Sequence, residues 1–310
     1  MLLTTFTGVL VPILVVVGSG YLLCRVLDPD IRPINRISLY LLSPALIFSS
    51  LVKARIPQGE TLRIVSFMLL LVGCMALLAW SSSKLFRFDS STTTAMMLCT
   101  MFTNTGNYGL PLARFAFGES GFERAVVFFV AQAILTQTLG VYIAGAGQGG
   151  WRKGVSRLIR MPQVYAVGAA LVVRWAGVGL NASSGGLAND LFRGVSLMGD
   201  AAIPLLLVIL GLQLAKANIA SGDRLPISLA TSIRLLVSIP LSLALAHLLG
   251  MDVLSTKLAV VLGSMSTAVN VTILAVEFDA RPSLVGSVVA ASTALSFITL
   301  TILLTVLGAG

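Results

Sequence analysis

The chain has 310 residues, of which 56% are hydrophobic and 11% charged, and its formal net charge at pH 7 is +9. Soluble domains carry about 25% charged residues, so this composition predicts an integral membrane protein whose surroundings are the lipid bilayer. The Lys and Arg residues are scattered singly between apolar runs, which excludes a basic patch for nucleic acid.

The apolar runs predict an all-α integral membrane protein with ten transmembrane helices. A helix needs about 20 residues to cross the hydrocarbon core, and this length with short connections allows about ten such spans. The runs place them at residues 5–27, 34–52, 62–82, 92–117, 123–144, 162–178, 191–215, 225–249, 255–278 and 282–307. The first run has neither a basic start nor a small-residue cleavage site, so we expect no cleavable signal peptide.

The fourth predicted span is interrupted by residues 101–111, which hold two Asn, two Thr, two Gly and a Pro. In a helix interior Gly costs roughly 1 kcal/mol and Pro roughly 3 kcal/mol, and in hydrocarbon every freed backbone group must find a partner. We therefore predict two half-helices that meet near mid-membrane, the second starting near Asn107 with free N–H groups and a positive dipole end. The alternative is a Gly/Pro kink packed against a neighbouring helix.

The second half of the chain repeats landmarks of the first half in the same order. Prolines recur at corresponding places in spans one and six and in spans two and seven. Asn107 corresponds to Asn270 in an interruption of span nine at residues 264–270. Because five spans per half is an odd number, residues 1–150 and 151–310 are predicted to form two inverted five-helix repeats. Inverted repeats with helices broken at corresponding positions indicate a transport site.

The charges of the predicted loops set the expected orientation in the membrane. Basic residues are more numerous on the loops that lie inside when both termini lie outside, which predicts that topology for a multi-pass protein of the plasma (inner) membrane. The most polar connection, residues 145–160 around Trp151, decides most of this count and is predicted to be cytoplasmic. It carries four basic residues: Arg152, Lys153, Arg157 and Arg160.

The polar side chains of the two interruptions are the candidate substrate-binding residues. Each half-helix N-terminus contributes roughly half a positive charge, so a small carboxylate could be held there without any Arg. Amide and hydroxyl groups complete the predicted site: Asn104, Asn107, Asn270, Thr103, Thr105, Ser266, Thr267 and Gln132. Gln137 and Gln213 are second-rank candidates for lining the cavity. The alternative reading is that the polar side chains only cap the half-helices.

Asp200 is the one carboxylate deep in a predicted span, and it is the candidate for ion or proton coupling. An ionised Asp at the centre of a membrane helix is penalised by roughly 2.5–3.5 kcal/mol, so it needs a partner, water or a proton. Arg234 in span eight is the expected partner if the two helices are adjacent. The alternative is that Asp200 lies near the end of its span and is solvated. His247, the single His, lies near a span end and is given no role.

The run 104–111, of the pattern Asn-x-Gly-Asn-x-Gly-Leu-Pro in the fourth of ten spans, resembles the auxin efflux carrier family. Residues 199–205 and 211–215 look like that family's seventh-span pattern, and residues 266–270 look like its second crossover, so the resemblance covers nearly the whole chain. It implies the fold of the bile-acid sodium symporters, with a scaffold domain beside a core domain that holds two crossing broken helices. The second crossover of the family often carries a Pro, which residues 266–270 lack, and this predicts a softer second break.

The resemblance implies a secondary active transporter of a small organic anion, working by elevator-like alternating access. A mono- or dicarboxylate such as malonate or malate, or an auxin-like acid, is the expected substrate, with H⁺ or Na⁺ as the coupling ion. A sodium-coupled symporter of the bile-acid type and a channel or sensory receptor are the alternatives, and a homodimer is left open. The sequence has no HExxH, no P-loop and no metal spacing of its three Cys residues. We therefore expect no enzyme, no catalytic residue, no metal site and no cofactor.

Overall fold

Helices make up nearly all of residues 6–145, 150–180, 185–216 and 223–308, the part of the chain that the computed structural model describes. In chain order they are α1 (Phe6–Leu27), α2 (Ile31–Lys53), α3 (Gln58–Leu85), α4 (Ser90–Met101), α5 (Thr105–Ala144), α6 (Gly150–Arg160), α7 (Pro162–Trp175), α8 (Leu187–Lys216), α9 (Arg224–Leu248), α10 (Val253–Gly263), α11 (Asn270–Glu277) and α12 (Pro282–Val306). These ranges contain no strand beyond one isolated bridge. The predicted all-α class is confirmed.

Seven of these helices are long and apolar enough to cross a membrane: α1, α2, α3, α5, α8, α9 and α12. The integral membrane class is therefore confirmed. Helices α4, α7, α10 and α11 have 12, 14, 11 and 8 residues, fewer than the about 20 that a single helix needs to cross. The total of ten spans stays a prediction.

The long helix α5 contains a break between two predicted spans. At about 1.5 Å per residue, its 40 residues would extend about 60 Å, roughly twice the thickness of the hydrocarbon core. Gly118 interrupts the helix with φ 66° and ψ −161°, a backbone conformation that is essentially restricted to Gly. The break falls between the predicted fourth and fifth spans, 92–117 and 123–144, so the polypeptide can turn back there.

The short helices α4 and α10 begin with equivalent capping residues. Asp89 accepts a hydrogen bond from the backbone N–H of Thr92 at 2.8 Å, and Asp252 accepts one from Ser255 at 2.7 Å. The bonds from Thr92 hold the pKa of Asp89 below its usual value. At Asp252, burial pushes the pKa up, but the bonds from Ser255 and the Arg124 guanidinium outweigh it and the pKa is lowered. The matching caps add a correspondence between the two halves of the chain.

Glycines allow a close contact between α1 and α8. Gly20 on α1 faces the backbone of Val208 on α8, and Gly211 on α8 faces the backbone of Val17 on α1, so that a Cβ at either Gly would clash. Small residues permit such approaches between membrane helices. Helices α1, α2, α7 and α8 pack mainly on one another, whereas α3, α4, α5, α9, α10 and α12 form a second group. The division into a scaffold and a core stays a prediction with which this grouping agrees.

The polar connection predicted at residues 145–160 contains a helix, α6, within its described part. This helix packs on a π-helical turn of α5, Thr136–Gly140. A Cβ at Gly154 would lie only 3.1 Å from the backbone oxygen of Gln137, so the absence of a side chain permits the approach. The connection is therefore held against the bundle.

Candidate functional site

The two interruptions of the helices pair with each other through their backbones. Thr103 and Thr267 form an antiparallel bridge. The N–H of Asn104 donates to the carbonyl of Ser266 at 2.8 Å, and the N–H of Ala268 donates to the carbonyl of Phe102 at 2.8 Å. Backbone groups freed by one broken helix thus satisfy those freed by the other, which is what a break inside a membrane protein requires. A simple kink against a neighbouring helix does not describe this arrangement.

The second interruption is longer than the first, and the expectation that it is the softer of the two stays a prediction. Three residues, 102–104, separate α4 from α5, and six residues, 264–269, separate α10 from α11. No Pro is needed because tertiary hydrogen bonds hold the unwound segment. The Thr267 hydroxyl donates to the carbonyl of Cys99 at 2.8 Å, and the Thr267 N–H donates to the Ser292 hydroxyl at 3.1 Å.

A cavity of about 170 Å³ is lined by residues from both interruptions. Pockets for drug-sized ligands measure roughly 300–1,000 Å³, so this cavity suits a smaller molecule. Six of the predicted substrate-site residues line it: Thr103, Asn104, Thr105, Asn107, Gln132 and Asn270. Gln137 also lines the cavity. Ser266 and Thr267 do not, and both are fully buried.

Several polar atoms of the lining residues have no hydrogen-bond partner in the described ranges. They are Asn104 Nδ2, Thr103 Oγ1, Gln132 Oε1 and Gln163 Oε1. Leaving such a group unpaired costs about 1–3 kcal/mol. Asn104 occupies the N-cap position of the π-helical turn Thr105–Gly109 without making a capping bond, and no side chain caps α11. The capping role is therefore not observed, and these groups are available to a ligand.

Asn107 and Asn270, which are predicted to occupy matching places in two repeats, both line this cavity. Asn107 is in the middle of the first turn of α5, and its Nδ2 donates to Gln213 Oε1 of α8 at 3.4 Å. Asn270 is the first residue of α11 and its side chain is exposed. Direct contact of either amide with a substrate stays a prediction.

Arg157 is a cavity-lining residue that the sequence did not single out as part of the site. It is the one charged residue among the described residues that line the cavity. Its guanidinium forms an ion pair with Glu277 and lies 5.8 Å from the centre of the Phe278 ring. In the sequence Arg157 reads as one of several basic loop residues. Gly154, one helical turn earlier, was the available signal that α6 packs closely on its neighbours.

Arg234 does not pair with Asp200, which corrects the predicted partnership. Its side chain is completely buried, and its guanidinium donates to the carbonyls of Thr100 and Gly263, at the C-terminal ends of α4 and α10. Each helix C-terminus carries roughly half a negative charge, so two such ends stabilise one buried cation. A carboxylate partner is not needed at this position.

Asp200 pairs with Arg114 instead, at 3.4 Å, and its side chain is 64% exposed. It does not line the 170 Å³ cavity. It lines a separate cavity of about 50 Å³ together with Lys53, Glu119 and Glu123. The role of Asp200 in coupling stays a prediction, but a direct contact with a ligand in the larger cavity is not part of this geometry.

Two stretches of the chain, residues 5–150 and 151–304, match the model of a family described as membrane transport protein. The chain is 25% identical over 303 residues to an uncharacterized transporter of Methanothermobacter thermautotrophicus, which covers 95% of this chain and 96% of that protein. It is also 25% identical over 296 residues to an uncharacterized transporter of Methanocaldococcus jannaschii, with 93% and 94% of the two chains covered.

Proposed function

This chain belongs to the membrane transport protein family, that of the auxin efflux carriers, and from this membership we propose that it carries a small organic anion across the cytoplasmic membrane. The substrate is a mono- or dicarboxylate of the size of malonate or malate, or an auxin-like acid. The family and the membrane-spanning helices make it a multi-pass membrane transporter. The proposal adds the class of substrate and the mechanism.

The polarity of the cavity is the observation that supports an anionic substrate. Its described lining contains amide and hydroxyl donors but no carboxylate, and its single charged residue is the cation Arg157. The first turn of α5 and the first residue of α11 also line it. Since a helix N-terminus carries roughly half a positive charge, the two ends together contribute about one positive charge. Such a site favours an anion over a neutral or cationic solute of the same size.

The mechanism that we propose is alternating access by an elevator-like movement. The group of helices that holds the paired interruptions would move against α1, α2, α7 and α8, and the cavity would open to one side of the membrane at a time. H⁺ or Na⁺ is the proposed coupling ion, with Asp200 as its candidate carrier. A cavity of about 170 Å³ favours a small acid over a bile acid among the substrates that this fold could carry.

Thermal unfolding of the purified protein tests the proposed substrate class. Acetate, malonate, malate and indole-3-acetate would each be added in NaCl and in KCl, and at least one is expected to raise Tm. Malonamide, which is neutral and close to malonate in size, is the matched control and should give no shift. Equal stabilisation by malonate and malonamide would argue against an anion site.

Counterflow in proteoliposomes tests the mechanism. A carrier preloaded with unlabelled acid accumulates labelled acid transiently, because the binding site exchanges substrate across the membrane. A channel, which is the alternative class, lets the label equilibrate without accumulation. Accumulation that disappears when the trans substrate is omitted is the expected result.

A further inference from the structure

Arg157 is placed at the cavity by two contacts outside its own helix. The close approach of Gly154 to the backbone of Gln137 holds α6 on α5. The guanidinium is held by Glu277, the last residue of α11, and by the neighbouring Phe278. The Arg157 side chain is 31% exposed. The residue therefore connects the segment between the two halves of the chain with one of the broken helices.

The position of Glu277 is unfavourable for a carboxylate that has no partner. It is the C-terminal residue of α11, where the helix dipole adds roughly half a negative charge and repels an acidic side chain. Arg157 offsets this repulsion. A guanidinium has five N–H donors in a rigid fork and can bind a carboxylate with two of them, so donors remain after one carboxylate is bound.

We infer that Arg157 recognises the carboxylate of the substrate and that Glu277 competes with the substrate for the same guanidinium. The inference rests on the proposed function, the transport of an organic anion. In the empty cavity Glu277 accepts from Arg157. An incoming carboxylate takes over part of the guanidinium and is repelled by Glu277 as long as that side chain stays ionised. Glu277 thus limits how tightly the site binds an anion.

The two residues are expected to act on affinity with opposite signs. Arg157→Gln should weaken anion binding by about tenfold or more, because a hydrogen bond to a charged group contributes about 1.5–3 kcal/mol. Glu277→Gln keeps the size of the side chain and removes the competing charge, so it should strengthen binding by about threefold to tenfold. A pair that only holds α6 against α11 predicts that both variants shift affinity in the same direction.

Binding isotherms on detergent-purified protein test this inference, with acetate, malonate, malate and indole-3-acetate as the probes. Arg160→Gln is the matched control for the cation, since Arg160 is on the same helix, exposed and outside the cavity lining. Asp279→Asn is the control for the anion, since Asp279 is exposed two residues after Glu277. The double variant Arg157→Gln/Glu277→Gln should bind more tightly than Arg157→Gln alone, because it also removes the ionised carboxylate that repels the anion.

The outcomes separate this inference from the proposed function. If the wild type binds none of the probes, both the organic-anion function and this inference are refuted. If the wild type binds a probe but Glu277→Gln weakens binding as Arg157→Gln does, the pair is structural and only the inference fails. Arg157→Lys provides a second variant if Arg157→Gln is unstable, and it should retain more affinity than Gln because it keeps the charge.

Discussion

Replacement of the buried Arg234 by Met tests whether one guanidinium holds the two broken helices together. Met keeps most of the side-chain volume but removes the bonds to the carbonyls of Thr100 and Gly263. Two hydrogen bonds from a charged donor contribute about 1.5–3 kcal/mol each. Two costs oppose this stabilisation: the cation is removed from water, and the Arg234 Nε has no hydrogen-bond partner in the described ranges. The net loss for Arg234→Met is therefore expected to be about 2–3 kcal/mol.

That loss corresponds to a fall in Tm of about 4–12 °C, at the roughly 2–4 °C per kcal/mol found for chains of about 150–250 residues. Thermal unfolding in detergent, followed by size-exclusion chromatography after heating, measures it. Arg234→Lys keeps the charge but cannot bridge two carbonyls in the same planar geometry, so about half of the loss is expected. Arg160→Met on the exposed side of α6 is the control and should leave Tm unchanged. A Tm for Arg234→Met within about 1 °C of the wild type would refute the reasoning.

Three further predictions concern the site and the topology. At both Asn107 and Asn270, anion affinity should fall from the wild type to the Ala variant and further to the Asp variant, since Asp places a negative charge against the anion. Binding isotherms on variants of equal Tm measure this order. Wild-type affinity in both Asp variants would remove these residues from the site. Asp200→Asn should change the pH or sodium dependence of uptake in proteoliposomes, and an unchanged dependence would end its coupling role. A Cys introduced at the exposed Ser156 of α6, in a Cys-less background, should resist an impermeant maleimide in intact cells, because the basic residues of the connection predict a cytoplasmic position.

The first interruption could be predicted because its cause is local: Gly, Asn and Pro in residues 101–111 disfavour helix whatever surrounds them, and the chain is unwound there at 102–104. The second interruption, predicted at residues 264–270, is unwound at 264–269 although these unwound residues include no Gly, Asn or Pro. The second helix of the first pair begins at Thr105, two residues before the expected Asn107. The bonds that hold the second break could not be predicted, since they join Thr267 to residues that are distant in sequence, Cys99 and Ser292.

The errors concern charged residues, whose partners are distant in sequence. Asp200 pairs with Arg114, 86 residues away, and Arg157 with Glu277, 120 residues away. Loop charge counts treat a basic residue between two spans as solvated, so they cannot show that α6 folds back onto the cavity. Arg234 was assigned a carboxylate because the sequence shows charges but not the carbonyl groups at helix ends.

At each interruption, the helix that ends carries a partial negative charge and the helix that begins carries a partial positive charge. Arg234 neutralises the negative C-terminal ends of α4 and α10, which leaves the positive N-terminal ends of α5 and α11 to act on the cavity. Removing the Arg234 charge would leave about one negative charge of helix ends near the site, so anion affinity should fall together with stability. Lys keeps this charge, and Met does not. Among folded variants the dissociation constant for malonate, or for whichever carboxylate binds best, should therefore be lower in Arg234→Lys than in Arg234→Met. Equal dissociation constants would show that the charge of Arg234 supports the fold without contributing to the field in the cavity.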